Sequence, residues 1–537
     1  MTDTRSTAAT PYYITTAIPY VNAKPHIGFA MEAIQTDAFA RYHRLRGEDV
    51  RALTGTDDNS LKNVRAAEAE GVPTQALVDR NAAAFQRLAE TLNLRFDDFI
   101  RTSTDPRHLA GVRKLWEACA ANGDIYRRAY RGLYCVGCEQ FYAEDELLDG
   151  LCPEHLTPPE VVEEENYFFR LSRYTDQLYD LIASDTLRVT PRSRKNEVLG
   201  LIRHGLTDFS VSRTQSRAHG WGIPVPGDPS QVMYVWFDAL GNYITALNYA
   251  AGGPLYERYW VRSQRKTHVI GKGIVRFHAV YWPAMLLSAG VPLPSDIFVH
   301  GYVTVDGAKI GKSLGNAVDP ISLVEQFGAD ALRYYLLREI PAAGDGDFTT
   351  GRLLRAYNND LADRLGNLLN RAVRMVARYY DGVVPEPVVS DAARAEDDAL
   401  LEAAHTLPEA VAQAMEAFEP HVALARIWRL VDVANRYVEQ TEPWLLAKRG
   451  REEGTPGVEA KGRLATTLYN LVEALRLIGY LCQPFLPETA VGIARQLGLE
   501  PGDEGAWAEA TRWGAYPAGT RVRPGEVLFP KREEQEG

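Results

Sequence analysis

The run "YYITTAIPY" at Tyr12–Tyr20, with the helical stripe and second strand that follow it, constrains the fold more than any other feature of the chain. The run is β-branched and aromatic, which is the composition of a strand. From Pro25 onward apolar residues recur at Ile27, Met31, Ile34, Ala38, Tyr42 and Leu45, the period of a helix. Gly47 closes that helix, and "VRALTGTDD" reads as the next strand. A strand, a helix and a second strand within about forty residues make a βαβ unit, whose two strands must run parallel. The predicted fold is therefore an α/β, Rossmann-like nucleotide-binding domain.

The rhythm breaks between Cys119 and Pro226. This block holds a cysteine cluster, the stretch "PPEVVEEEN" and short aromatic strands such as "NYFFRL". It reads as an insertion between two halves of the nucleotide fold. The α/β pattern resumes in "MYVWFDALGNYITAL" and "THVIGKGIVRFHAVYWPAMLLSAG". Beyond Gly351 the chain turns helical: Leu361, Leu365, Leu368, Ala372 and Val376 form one stripe, and long helical segments are expected around Ala423–Glu439 and Ala465–Gln483. A bundle accommodates them, with the Gly/Pro-rich end strapped back onto it. The expected boundaries are 1–118 and 227–300 for the two nucleotide-fold halves, 119–226 for the insertion, 301–350 for a loop region and 351–537 for the bundle and strap.

At 537 residues the chain is too long for one core, and 46% hydrophobic with 24% charged residues suits a soluble globular protein. A net charge of −11 excludes a generally basic nucleic-acid coat protein, although a local basic face is compatible with it. "MTDTRSTAATP" is expected to be a disordered lead-in; with no apolar run of spanning length, a cytoplasmic protein without membrane contact is expected.

Three stretches carry chemistry. Cys135 and Cys138 have two residues between them, as do Cys152 and His155. Two close pairs of N/S ligands match a closed tetrahedral zinc site, structural because no position is left open. In "NAKPHIGFAME", His26 and Gly28 stand at a helix entry, where free backbone N–H groups and the helix dipole attract anions. In "DGAKIGKSLGN", after an expected hairpin "YVTVDGAKI", Lys309 and Lys312 lie three apart on a Gly-flanked loop that can close on a polyphosphate. The "GKS" there is not a P-loop, which requires glycine where Asp306 stands.

Together these features resemble the methionyl-tRNA synthetases among the class I aminoacyl-tRNA synthetases, over nearly the whole chain. "ARYHRLRGEDV", "WGIPVPGDP", "YVWFDALGNY", "RFHAVYWPA" and "ANRYVEQTEPWLLAK" add to the likeness. The resemblance implies a Rossmann catalytic domain with a zinc-knuckle insertion and an α-helical anticodon-binding bundle. It implies formation of methionyl-adenylate from L-methionine and ATP with release of pyrophosphate, then transfer to the terminal adenosine of tRNA. His26, Gly28, Phe29, Glu32, Lys309, Lys312 and Ser313 fall where the family binds ATP, with His26, Lys309 and Lys312 as the catalytic groups. Ile18, Tyr20, Trp236, Ala239 and Leu240, with Tyr243 and His300, fall where it encloses the methionine side chain. Asp57 matches the carboxylate that holds the substrate ammonium, and Arg213 the arginine that pairs with that carboxylate. Asn367, Arg371 and Trp444 match the readers of a CAU anticodon. ATP with Mg²⁺ and a structural Zn²⁺ are the implied cofactors; tRNA is the nucleic-acid partner, not DNA, and a monomer is expected.

The chain departs from the family pattern at Phe29, where a second His is usual, at Ile310 and Gly311 in the lysine loop, and at Asn59 and Ser60 in "TDDNSLK". The link "RTQSRAHGWG" is also longer than usual. Two other readings compete: an adenylylating nucleotidyltransferase that uses no RNA, and a specialised or catalytically impaired synthetase paralogue that binds methionine or tRNA without efficient charging. The leucine, isoleucine and valine enzymes need an editing insertion for which there is no room. The cysteine enzyme keeps zinc in its amino-acid pocket, whereas the cluster here is expected to be closed and remote from that pocket.

Overall fold

A computed structural model describes residues 9–533 apart from 143, 311–315, 389–393 and 503–504, with the backbone alone at 140, 145 and 309. The chain divides into two compact units: one of Met1–Thr36, Glu48–Glu90 and Leu94–Tyr302, the other of Asp37–Gly47, Thr91–Asn93 and Val303–Gly537.

The first unit is built on a six-stranded sheet of β1 (Pro11–Thr16), β2 (Asp49–Thr56), β3 (Asp98–Arg101), β4 (Arg188–Thr190), β5 (Arg265–Gly271) and β6 (Asp296–His300). Its order is β3-β2-β1-β5-β6-β4, and every pairing is parallel. The β1, β5 and β6 interiors are buried on both faces, the environment of a central parallel sheet; β1 and β6 meet it with apolar, aromatic and β-branched residues, whereas β5 also buries Lys266 and His268. Helix α1 (Ile27–Leu45) joins β1 to β2 as expected. Three further helices follow: α2 (Leu61–Glu70), α3 (Thr74–Thr91) and α4 (Pro106–Ala121). A Cβ on Gly55 would stand 2.2 Å from the Ile100 carbonyl oxygen, so β2 can lie beside β3 only with glycine there.

The order reverses direction between β1 and β5, and such a switch opens a ligand crevice beyond the carboxyl ends of the strands. Ala17–Tyr20 follow β1, Asp57 follows β2, and His300 ends β6. The expected pocket residues thus converge because of strand direction.

The block 119–226 does not stand apart as a whole. The Ile125–Cys135, Gln140–Tyr142 and Glu160–Phe169 strands form an antiparallel sheet with Phe209–Ser210. Arg188–Thr190, from the same block, instead extends the nucleotide sheet next to β6. Three residues carry no periodicity, so only tertiary pairing reveals that strand. Cys119 also belongs to α4 rather than to the insertion.

In the second unit Val303–Val305 pairs antiparallel with Ala308–Lys309 and parallel with Gly346–Phe348. Asp306 (φ 53°) and Gly307 (φ 74°) both take positive φ, which gives a two-residue hairpin turn the required twist. Helices α5 (Asn367–Tyr379), α6 (Ala395–Glu416), α7 (Pro420–Thr441) and α8 (Thr455–Cys482) follow. The five stripe residues Leu361–Val376 are all fully buried. Sequence periodicity missed α6, because Pro408 sits inside it and alanines blur its stripe. The Glu473 carboxylate of α8 accepts the backbone N–H groups of Gly514 at 2.6 Å, Ala515 at 3.1 Å and Tyr516 at 3.1 Å, which ties down the C-terminal segment.

Candidate active site and metal centre

The helix entry after β1 has the geometry of an anion site. His26 Nδ1 accepts the Gly28 N–H at 3.1 Å, so the ring proton resides on Nε2. His26 is exposed, which leaves that Nε2–H free to donate. A Cβ at Gly28 would meet the His26 ring at 2.9 Å, so glycine keeps the turn closed. Phe29 does not substitute for a donor. Its ring packs edge-on against Phe85 of α3, in a cluster with Val21, Val78 and Ala82 that Phe99 and Trp221 also join. Glu32, one turn further on, has both carboxylate oxygens engaged: Oε1 accepts Ala17 N–H at 2.9 Å, and Oε2 lies 2.8 Å from His300 Nε2.

The aromatic cup is present. Tyr20 meets Trp236 edge-on at 6.4 Å, and Trp236 stacks on Phe277 at 3.8 Å. Ala239, Leu240 and Tyr243 are buried on the short helical turns after Trp236, while Ile18 packs at the margin of the same core. The Tyr243 hydroxyl donates to His278 Nε2 at 2.7 Å. His278 Nδ1 must be the protonated nitrogen, because it faces the Ile274 carbonyl oxygen at 2.9 Å. Behind it the Trp282 indole N–H donates to His268 Nε2 at 3.2 Å, so His268 Nδ1–H donates to Thr15 Oγ1 at 2.8 Å. Burial holds His278 neutral, with its pKa lowered to about 4, and pushes His268 well below the usual range.

Asp57 is 2% exposed, and among the described residues its carboxylate accepts a single long bond, from Asn59 N–H at 3.3 Å. Burial, then the neighbouring Asp238, Glu139 and Asp58, hold its carboxyl well above the usual carboxylate range. Among the described residues no cation pairs with it; a buried acid so placed is held neutral and ionises when a cation comes beside it. The Arg213 guanidinium does not fill that role: it donates to Ser210 Oγ and the Ser212 carbonyl, lies over the Tyr234 ring at 4.3 Å, and has no carboxylate within ion-pair distance among the described residues. Its expected pairing with Asp57 is not present in this conformation.

Sequence reasoning passed over the residues that frame Asp57. The Asn59 amide donates to Asp238 Oδ2 at 2.6 Å, and His108 Nε2 faces Asp238 Oδ1 at 2.5 Å. Ser60 caps α2 and donates to Glu139 Oε1 at 2.5 Å. The unusual Asn59 and Ser60 are therefore integrated into the fold by their own hydrogen bonds. No local signal pointed to Asp238, Glu139 or His108; their partners lie 79 to 179 residues away.

The four predicted metal ligands converge, with one donor atom from each of Cys135, Cys138, Cys152 and His155 within 4.8 Å of all the others. Cys138 Sγ is 3.4 Å from Cys152 Sγ and 3.2 Å from His155 Nδ1, and Cys135 Sγ is 4.0 Å from that nitrogen. Tetrahedral zinc bonds of about 2.0–2.3 Å place ligands about 3.3–3.8 Å apart, so the donor set fits zinc. A Cβ at Gly137 would strike the His155 ring at 2.6 Å, and Tyr142 Oη–H donates to Cys138 Sγ at 3.1 Å. The cluster is not remote from the pocket, which corrects the expectation. The Trp236 indole N–H approaches the Cys138 carbonyl at 3.5 Å, and Tyr234 Oη–H donates to the Glu139 carbonyl.

In the second unit Lys309 lies on the strand after the hairpin turn, while Lys312 and Ser313 fall outside the described residues. Asn367 and Arg371 are one helical turn apart at the start of α5; Asn367 is exposed, and Arg371 bonds Glu439 of α7 at 2.7 Å. Trp444, five residues beyond Glu439, is 40% exposed, a large aromatic face left in solvent. Among the described residues no helix is long and apolar enough to cross a membrane.

Residues 12–158 and 155–373 match the family model described as tRNA synthetases class I (M), and 384–537 match the anticodon binding domain of methionyl tRNA ligase. The chain is 44% identical to the methionine–tRNA ligase of Caldanaerobacter subterraneus over 97% of its length and 78% of the relative's. It is also 44% identical to that of Brucella suis over 97% of its length and 98% of the relative's. The Mycobacterium tuberculosis methionyl-tRNA synthetase in complex with methionyl-adenylate superposes with a TM-score of 0.91 at 44% identity, covering 97% of this chain and 100% of that one. The apo form from the same organism gives 0.84 at 42% identity, covering 98% and 99%. The chain belongs to the methionyl-tRNA synthetase family of class I aminoacyl-tRNA synthetases.

Proposed function

We propose that the chain joins L-methionine to tRNA bearing a CAU anticodon, by way of methionyl-adenylate. The observation that carries the reading is Asp57: a buried carboxylate without a cation among the described residues, at the end of β2, bridged through its backbone to Tyr20 of the aromatic cup. An α-ammonium supplies the missing charge, and the cup of Tyr20, Trp236, Tyr243 and His300 receives the thioether. Aromatic contacts to sulfur contribute about 0.3–1.5 kcal/mol each.

In this scheme the methionine carboxylate attacks the α-phosphorus of ATP in line, the bond to the bridging oxygen breaks, and pyrophosphate leaves. Charge building on the phosphate oxygens is met by His26 Nε2–H and the α1 N–H groups, with Lys309 and Lys312 as the closing cations. A hydroxyl of the terminal adenosine of tRNA then attacks the acyl carbon and AMP departs. Magnesium neutralises the triphosphate when ATP is bound, and zinc holds the knuckle as a structural ion. Anticodon bases stack on Trp444 and hydrogen-bond to Asn367 and Arg371, the mode by which proteins read splayed single-stranded bases. We read the protein as a cytoplasmic monomer.

The test is ATP–pyrophosphate exchange screened across the amino acids, followed by charging of CAU-anticodon tRNA. Exchange with methionine and then charging is expected. Exchange only with another amino acid, or none, would sink the reading.

A further inference from the structure

We propose that Glu32 is a positioning residue of the methionine pocket and not a ligand of ATP. This rests on the assignment of methionine to the aromatic cup. Glu32 lies on the helix whose first turn makes the anion site, and the family resemblance puts it with the nucleotide. Its carboxylate is committed elsewhere. Oε1 accepts the Ala17 N–H at 2.9 Å, an N–H shared with the Val269 carbonyl at 3.1 Å. Ala17 is the residue before Ile18, so this bond fixes the backbone from which the cup's Ile18 and Tyr20 project. Oε2 stands 2.8 Å from Nε2 of His300, at the end of β6.

That second contact must hold a proton. His300 Nδ1 faces the Gly301 carbonyl at 2.7 Å; a carbonyl only accepts, so Nδ1 carries hydrogen. With hydrogen on Nδ1, a neutral imidazole offers only a lone pair at Nε2, and an ionised carboxylate offers only lone pairs at Oε2, so the 2.8 Å contact requires a further proton. One proton therefore lies on the line between Oε2 and Nε2, and either assignment gives a strong, charge-assisted or acid–base hydrogen bond. The pair is buried, with Glu32 7% and His300 5% exposed. Glu32 also acts on the Tyr243 hydroxyl, whose pKa is raised by burial and then by this carboxylate. One side chain thus holds the ends of β1 and β6 and acts on the Tyr243 hydroxyl.

Methionine dissociation constants by calorimetry and two-substrate exchange kinetics test this on the full chain. Glu32→Ala is expected to raise both the dissociation constant and KM for methionine at least tenfold, with KM for ATP changed less than twofold. Glu32→Gln keeps an acceptor for Ala17 and a donor for neutral His300 Nε2, so it is expected to recover most of the loss. Should Glu32→Ala not fold, the cycle of Glu32→Gln with His300→Gln replaces it. Non-additive effects on methionine affinity are expected, and additive ones would overturn the proposal. A rise in KM for ATP with methionine affinity unchanged would overturn it as well. If the unmodified chain binds methionine without exchange, the ligase reading fails while the Glu32 result is still read in methionine affinity. If it does not bind methionine, both fall.

Discussion

Phe29 meets Phe85 edge to face, with ring centroids 4.7 Å apart and planes at 80°. The family's second signature histidine has here become part of the packing between α1 and α3. Such an aromatic pair contributes about 0.5–1.5 kcal/mol beyond its buried area. Phe29→His should therefore lower the melting temperature, and it should not raise the exchange rate, because the surroundings are shaped for a ring that donates nothing. A tenfold gain in kcat on restoring histidine would show instead that the departure costs catalysis.

Asp57 makes opposite demands on stability and binding. Its raised carboxyl means the ligand-free fold favours the protonated form, so it loses stability as pH rises through the ordinary carboxylate range. Binding an ammonium needs the ionised form. KM for methionine is thus expected to be flat at high pH and to climb on acidification, beginning above the pH at which an ordinary aspartate titrates. Asp57→Asn should remove that limb, raise KM at every pH, and raise the melting temperature at neutral pH. A pH-independent KM in the unmodified chain would count against the ammonium role.

The buried His278 predicts the acid behaviour of the fold. Its pKa of about 4 in the folded chain lies below the unfolded value of 6.5, so the unfolded state takes up the proton first as pH falls. Stability is full above pH 6.5 and declines toward pH 4, by on the order of 3 kcal/mol from this group. His268, shifted the same way, adds to the slope. Denaturant titrations of His278→Gln between those pH values should show a flatter acid limb; an unchanged slope would mean that other groups dominate.

The contact of Trp236 with the Cys138 carbonyl makes the knuckle more than a distant brace. Elemental analysis should find one zinc per chain, and Cys138→Ala should lose it. Because metal affinity is folding free energy for such a loop, metal removal is expected to loosen Cys138 and Glu139 and so the backs of Trp236 and Tyr234. The expected signature is a higher KM for methionine and altered tryptophan fluorescence, with KM for ATP nearly unchanged. Fluorescence and KM for methionine that do not respond to zinc removal would return the knuckle to a purely local role.

The nucleotide fold was legible because the βαβ unit is local: the strand of Tyr12–Thr16, the stripe of α1 and the strand ending at Asp57 declare themselves within one stretch. The converging donor set of Cys135, Cys138, Cys152 and His155 was legible for the same reason, as its spacing is local. What escaped was set by distance. Arg188–Thr190 joins the sheet through pairing with β6, and nothing in three residues announces it. Asp238 becomes part of the site only through Asn59 and His108, 179 and 130 residues away. The family resemblance identified Asp57 and Arg213 as a pair, yet in the structure each is buried without the other, a matter of conformation that sequence does not record.

Trp444 separates the two halves of the activity. It is 40% exposed, beyond the left-handed Glu442 (φ 44°) that ends α7, on a unit whose described residues include no part of the methionine cup. The exposed part of the indole is available for stacking, which contributes about 1–3 kcal/mol per base. Trp444→Ala should lower kcat/KM for charging CAU-anticodon tRNA by about five- to 150-fold. Methionine-dependent exchange without tRNA should be unchanged, while the melting temperature should fall only by what the buried part of the ring contributes. Arg371→Ala is expected to follow the same pattern, although freeing Glu439 adds a small like-sign repulsion toward phosphate. Charging that survives both substitutions would place anticodon recognition elsewhere on the bundle, whereas parallel loss of exchange would mean that these residues act through the fold and not through RNA.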